Sequence, residues 1–517
     1  MDDLKTYAKN DDKQTGLLRT IKSFSDDIDK EFGFDKCAKA TFKRGRLADF
    51  SNIELDVNTV IQDLEQEGTY KYLGVSEGDG IQRSQMKEKI RKEYYRRIRM
   101  VLKSELNSAN KLEAINTLAV PVVTYSFNII NWTLQELAKL DTKTRKFLTM
   151  YKMHHPQSDV DRLYLPRIEG GRGLIKLELS YKTTTIGLDK YLQEMQDTLL
   201  HFVKDHDDKR SLYSTSRQST KFSRELEVPA TPPAEDEAST TYARKRKAKA
   251  KHQGRQQLRS KWESKALHGK YPQRVKQADV DQDKTHRWLK AAGLKAETEG
   301  FIIAAQDQSL STRWYQHNIL KKPDVDPKCR LCGRFDETID HLVSGCPELA
   351  KTEYIRRHNK AAAHMHWKIC KEFGIEVKDR WYEHEPTTVT EKNNITILWD
   401  MPIHTDRTIT ANRPDIVLKN KKDKTCLLID MTAPLDANTS VKTTEKFNKY
   451  KDLEIEIERM WGLKTTTVLV VIGALGIIKK GMESYINKIP GNINIHELQQ
   501  ITLLSTAHLL RRALSIR

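Results

Sequence analysis

Arg413-Pro414-Asp415-Ile416-Val417-Leu418-Lys419, a polar segment at 420–424, and Thr425-Cys426-Leu427-Leu428-Ile429-Asp430 form the stretch from which the rest of the chain is read. Two apolar, β-branched runs separated by Lys, Asn and Asp predict an antiparallel hairpin. With the turn centred on Lys422 and Asp423, Asp415 falls directly opposite Asp430. Directly opposed residues share a face, with Cβ atoms about 4.5–5.5 Å apart. Carboxylates that close repel unless a cation lies between them, and hard oxygen ligands favour Mg²⁺. A Pro-Asp pair at a strand start is also ordinary turn chemistry, so the hairpin alone leaves both readings open.

The next segment adds cations. Phe447, Tyr450, Ile457 and Trp461 recur at helical spacing over 441–461, with Lys442, Lys446 and Lys449 on one stripe. Two carboxylates and a lysine are the parts needed for metal-assisted phosphodiester hydrolysis, in which an ammonium stabilises charge developing on the phosphate. The same lysines also read as a solvated helix face. Residues 468–478 are the most apolar run, but eleven residues cannot cross a bilayer that needs about twenty. They predict a buried strand followed by a glycine-containing turn.

Upstream stands Cys329-x2-Cys332-x8-His341-x4-Cys346. Three thiolates and one imidazole suit tetrahedral zinc, and Gly333 and Gly345 flank ligands where glycine allows a tight backbone turn. A filled four-ligand shell is structural. So small a knuckle has almost no core, so metal is expected to supply most of its folding free energy. His364 and His366, near Cys370, read as structural histidines ahead of a second metal site.

The 517 residues carry 89 Lys plus Arg against 71 Asp plus Glu, a net +18. Residues 81–106 hold nine basic and three acidic residues, and 241–276 hold thirteen basic residues against Glu263 alone, so surpluses of +6 and +12 account for the whole charge. Charge this concentrated points to a polyanion, and nucleic acid is preferred over membrane because no lipid anchor or span accompanies it. In the first block, Ile90, Tyr94, Ile98 and Val101 place an apolar stripe beneath a basic face bearing Arg91, Lys92, Arg96 and Arg97. In the second, Arg244, Lys245, Arg246, Lys247, Lys249 and Lys251 follow VPATPPAEDEAST at 228–240, a composition that reads as a linker. Trp262, Trp288 and Trp314 are the expected core anchors of the following helices. At 38% hydrophobic with eight Trp, the chain is not wholly disordered, and its length suggests about three to five domains. The N-terminal segment lacks the apolar core of a signal peptide, and six cysteines make no disulfide scaffold, which suggests a reducing, intracellular setting.

In this order the pieces resemble the C-terminal part of a non-LTR retrotransposon polyprotein, of the site-specific group with a restriction-enzyme-like endonuclease behind the reverse transcriptase. Met1-Asp2-Asp3-Leu4-Lys5 is similar to the end of the polymerase aromatic-x-Asp-Asp box, with the aromatic residue before Met1. Tyr70-Lys71-Tyr72-Leu73-Gly74-Val75 is similar to the primer-grip strand that ends the palm. Cys329 to Cys346 resembles the family's Cys-Cys-His-Cys knuckle, and Arg413-Pro414-Asp415, Asp430 and 446–450 resemble its endonuclease. The resemblance implies that Asp2 and Asp3 are polymerase metal ligands, that 81–106 belongs to a template-gripping thumb, and that Asp415 and Asp430 are catalytic. Thr432 stands where the commonest nuclease pattern has lysine, so Lys446 or Lys449 takes that role, with Asp436 and Tyr450 in support.

The family further implies structural Zn²⁺, Mg²⁺ at the nuclease, target DNA and element RNA as partners, no membrane partner and a nuclear location. The fingers and earlier palm motifs would precede Met1. No polymerase activity is therefore expected from this chain, and Met1 reads as an internal Met of a longer polyprotein. The expected fold is multidomain α+β: a palm remnant (1–75), a helical thumb (76–226), a flexible acidic/Pro then basic linker (227–256), a helical linker domain (257–322), a zinc knuckle (323–350), a helical connector (351–393), an α/β PD-(D/E)xK-like nuclease (394–480) and a C-terminal extension (481–517). The alternatives are a catalytically inactive nucleic-acid-binding remnant and a zinc-containing protein–protein adapter.

Overall fold

Asn10 starts the first helix: its side chain accepts the Lys13 N–H, and Asp11 and Asp12 follow where a helix N-terminus favours negative charge. The structure, a computed structural model, describes residues 4–30, 37–44, 46–48, 52–56, 59–64, 68–78, 80–211, 213–229 and 238–516. It is mixed α+β. The chain divides into one unit of Met1–Arg96 with Pro121–Leu137 and another of Arg97–Val120 with Ala138–Arg517. That grouping differs from the string of small domains expected from the sequence. Asp2 and Asp3 lie outside the described residues.

In the first unit, α1 (Asp11–Asp27) accompanies short antiparallel pieces. β1 (Thr41–Lys43) pairs with β2 (Arg46–Ala48), and β3 (Ile53–Asp56) with β4 (Thr59–Ile61). β5 (Tyr70–Tyr72), β6 (Val75–Gly78) and β7 (Gly80–Ile81) form a three-stranded ladder. Leu73 and Gly74 make the turn between β5 and β6, both with positive φ, and the Tyr125 hydroxyl donates to the Leu73 carbonyl at 2.7 Å. α2 (Arg83–Lys103) follows and buries Ile90, Tyr94, Ile98 and Val101, as their spacing predicts.

The second unit is mainly helical. Beyond α3 (Leu134–Met150), α4 (Leu177–Glu194) packs against α5 (Ser239–Glu263). α5 corrects the flexible-linker expectation over most of the basic run. Ala, Lys, Arg and Gln are good helix formers, and the prolines end before it begins. Tyr242, Ala243, Arg246, Ala250, Gly254, Leu258 and Trp262 recur at spacings of one to four and are buried. Small residues let the helices approach closely: a Cβ on Gly254 would stand 2.3 Å from Leu179. Trp262 and Trp288 anchor the core, whereas Trp314 is half-buried and its neighbour Tyr315 takes the inward position.

α6 (Gln282–Ala291), α7 (Ala296–Gln306) and α8 (Glu353–Glu372) lead into the sheet. Its strands are β8 (Val389–Lys392), β9 (Ile395–Trp399), β10 (Ile416–Asn420), β11 (Thr425–Thr432) and β12 (Lys464–Val471), in spatial order β12-β11-β10-β9-β8. Only β11 and β12 run parallel, joined by α9 (Thr439–Trp461), which packs on β12. The β10–β11 hairpin has the register expected from its turn, with Ile416 opposite Ile429. Ile416, Val417, Leu428, Ile429, Val468, Val470 and Ile472 are almost fully buried, with Ala361, Met365 and Ile369 of α8 in the same core.

α10 (Ile495–Ser515) ends the chain as a central helix, not an appended extension. It packs on α6, α7 and α8, and Gln499 donates to the carbonyls of Thr285 and Gly476. Its Leu509, Leu510 and Ala513 also share a core with Ile339, Leu342, Val343 and Leu349 of the knuckle segment. The knuckle therefore has more apolar support than its length implied.

Candidate functional site

At one end of the hairpin, Pro414 has no N–H to continue the ladder, and Asp415 turns its carboxylate onto β11, where Oδ2 accepts the Met431 N–H at 2.6 Å. Asp430 is buried, 2% exposed. Its Oδ1 accepts from the Tyr450 hydroxyl at 2.7 Å and its Oδ2 from Lys446 Nζ at 2.6 Å. Burial, and then the charge of Asp415, raise the Asp430 pKa against the opposing pull of Lys446 and Tyr450. The two carboxylates are thus electrostatically coupled, as their opposition in the sequence implied.

α9 presents its lysines unequally. Lys446 touches Asp430, while Lys449 reaches the Tyr450 hydroxyl at 3.3 Å and Lys442 pairs with Glu445 at 2.5 Å. Asp436 lies elsewhere. Its Oδ1 accepts the Leu475 N–H at 3.0 Å in the turn after β12, where a Cβ on Gly473 would sit 2.0 Å from that oxygen. Burial holds the Asp436 pKa up at about 7.

The sequence reading missed His358. It stands on α8, 57 positions before Asp415, with Nε2 2.9 Å from Asp415 Oδ2. Burial lowers its pKa, but the hydrogen bond and charge of Asp415 outweigh that and hold it up at about 9. No spacing rule connects a helical histidine to a strand that far along the chain. A pKa raised above its ordinary 6.5 fixes the sign. The protonated pair adds stability that is complete below about pH 6.5 and lost as pH rises through about 9. In metal-free buffer, the wild-type denaturation midpoint should fall across that window. His358→Gln should flatten the profile by about 1–3 kcal/mol, and an unchanged slope would exclude the ion pair.

In the knuckle, Cys329, Cys332, His341 and Cys346 place one ligand atom each within 4.8 Å of all the others, so the cluster could hold a metal ion such as zinc. Cys329 Sγ lies 3.9 Å from Cys346 Sγ, and Cys332 Sγ 3.5 Å from His341 Nε2. A zinc tetrahedron with ordinary bond lengths needs about 3.8 Å between two sulfurs and about 3.6 Å between sulfur and nitrogen. Gly333 turns with positive φ after Cys332, and Arg330 fastens the loop through a two-pronged bond to Glu337 at 2.8 Å on each side. His364 and His366 part company. His364 faces Glu497 at 3.1 Å, whereas His366 meets Cys370 and His384.

The basic helices differ in how freely they show their charge. On α2, Arg96 is chelated by Glu93, Arg91 and Lys92 stand 3.7 and 3.8 Å from Glu88, and Arg97 donates to the Leu118 carbonyl at 2.8 Å. On α5, Arg246 is buried and donates to the Pro229 carbonyl at 2.6 Å, while Arg244, Lys245, Lys247, Lys249 and Lys251 are exposed. Partial burial, and then the charges of Arg255 and Lys247, hold the Lys251 pKa below its ordinary value. Among the described residues no helix is long and apolar enough to cross a membrane. No family model matches the chain, and no curated protein matches it.

Proposed function

We propose that the chain is the C-terminal part of a retroelement polyprotein, in which a sheet domain of PD-(D/E)xK type nicks target DNA while basic helices and the knuckle hold nucleic acid. The observation that carries the reading is the convergence of Asp415, Asp430, Lys446 and His358 at one end of the hairpin. The donor set suits a hard divalent cation. Two carboxylates supply oxygen ligands: each Asp430 oxygen keeps a second lone pair beside the side-chain hydrogen bond it accepts, and Asp415 offers Oδ1 beside the Oδ2 that already takes the Met431 N–H and His358. Mg²⁺ held by Asp415 and Asp430 would supply charge to an attacking water and to the departing oxygen.

The side chains then have distinct tasks. Lys446 offsets the Asp430 charge at rest and is near enough to turn its ammonium toward a phosphate oxygen. Tyr450 fixes the orientation of Asp430, and the Met431 N–H fixes that of Asp415. His358 is held protonated and can neutralise Asp415 or donate to a phosphate. The exposed face of α5 supplies sequence-independent phosphate contacts. The nick leaves a 3′ hydroxyl for a polymerase carried by the longer polyprotein, with element RNA as template and the nucleus as the setting.

The experiment is nicking of supercoiled plasmid by the full chain, with Mg²⁺ and with chelator. Nicking that requires Mg²⁺ and vanishes in Asp415→Ala supports the reading. DNA retention by α5 without nicking by the wild type would favour the inactive nucleic-acid-binding alternative. Loss of neither retention nor function on replacing Arg244, Lys245, Lys247, Lys249 and Lys251 by Gln would favour the adapter.

A further inference from the structure

Outside the carboxylate site and the knuckle, one cluster gathers ligand chemistry without an assigned task. His366 and Cys370 lie one helical turn apart on α8, so their side chains share a face. His384 reaches them from the end of the short Trp381–Glu383 turn. His366 and Cys370 are buried and His384 is half-buried. His366 Nδ1 lies 2.8 Å from His384 Nε2 and 3.5 Å from Cys370 Sγ.

We infer that His366, Cys370 and His384 form a second metal site of zinc type, with three protein ligands and one coordination position left open. The sulfur–nitrogen separation is already close to the edge of a zinc tetrahedron, about 3.6 Å. The two nitrogens must part to about 3.4 Å, a small rotation that exchanges the hydrogen bond between the rings for two bonds to the ion. Two imidazoles and a thiolate suit zinc rather than Mg²⁺ or Ca²⁺, which take oxygen ligands. Binding releases the Cys370 thiol proton. The edge of the Trp399 ring meets His366, with centroids 5.7 Å apart and planes at 80°, and limits how the imidazole can turn.

The placement says what the ion does. Residues 373–388 join α8 to β8, and the Trp381–Glu383 turn is their only regular element among the described residues. A metal held by His384 and α8 fastens that connector to the helix. The same helix carries His358 eight residues earlier, about 12 Å along the axis at 1.5 Å per residue. The ion therefore takes no direct part at Asp415. It stiffens the helix that positions His358, whatever chemistry Asp415 performs, so the site stands apart from the nicking proposal.

The test is a Co²⁺ titration of the metal-stripped full chain, read by d–d and thiolate-to-metal absorption. The wild type is expected to take up about two equivalents, one with the intensity of three thiolates and one with that of a single thiolate. His384→Ala should retain about one, with the three-thiolate spectrum intact, and Cys332→Ala should retain the single-thiolate spectrum. His384→Cys should restore about two equivalents and add a second thiolate at the weaker site. Uptake by His384→Ala equal to the wild type, or a His384→Cys spectrum without the added thiolate, would overturn the assignment and leave the cluster a hydrogen-bonded piece of core.

Discussion

Asp430→Asn is expected to reduce Mg²⁺-dependent nicking by about 100–1,000-fold, and Lys446→Met by a comparable factor, while Lys449→Met stays within about threefold of wild type. Asn keeps the shape of Asp430 and its bond from Tyr450 but removes the charge. On the proposed reading the carboxylate is then lost both as a metal ligand and as the partner of Lys446. Lys446→Met acts from the other side. It leaves a buried carboxylate, already driven toward protonation by burial and by Asp415, without its nearest cation. Lys449 is one step removed, because its ammonium meets the Tyr450 hydroxyl rather than a carboxylate. Plasmid nicking rates for the three variants, with DNA binding measured in parallel, check this ordering. Equal losses at Lys446 and Lys449 would show that α9 contributes a general positive field and not one positioned ammonium.

How much of this site was legible depended on how its contacts are spaced along the chain. The hairpin register followed from the turn because antiparallel pairing is a local rule, and Ile416 meets Ile429 accordingly. Lys446 could be placed on a helix stripe but not told apart from Lys449, since the choice depends on where α9 docks. His358 and His384 were invisible for the same reason. One meets Asp415 across 57 positions and the other meets His366 across 18, separations that only tertiary packing closes. The basic run shows the opposite failure. Its composition resembled a linker, yet the stripe from Tyr242 through Trp262 was present in the sequence and marks a helix with one buried face. The Cys/His cluster of the knuckle was readable from spacing alone, whereas its apolar support comes from α10, more than 150 positions further on.

Glu299→Ala is expected to destabilise the second unit by about 3–5 kcal/mol, the largest stability effect foreseen for a single substitution in the chain. Glu299 is 2% exposed and bridges the buried Arg172 and the half-buried Arg167. Its Oε1 lies 3.0 Å from Arg172 Nη2 and accepts from Ser108 at 2.7 Å, and its Oε2 accepts from Arg167. Arg172 also donates to Ser108 at 2.9 Å and to the Met153 carbonyl, and Arg167 donates to the Leu289 carbonyl at 2.7 Å. Burial raises the Glu299 pKa, but the charges of Arg172 and Arg167 more than reverse the effect and hold it below the ordinary carboxylate value. Removing the carboxylate leaves the Arg172 guanidinium out of water, and the half-buried Arg167 beside it, with no anion, and a buried unpaired charge is far more destabilising than a missing pair. Glu299→Leu combined with Arg172→Met should therefore recover much of the loss, since Arg167 is the more exposed of the two arginines and keeps its carbonyl bond. Urea denaturation of the full chain followed by tryptophan fluorescence reads both variants. A Glu299→Ala midpoint close to wild type, or a double variant weaker than the single, would show that the network contributes hydrogen bonds rather than charge balance.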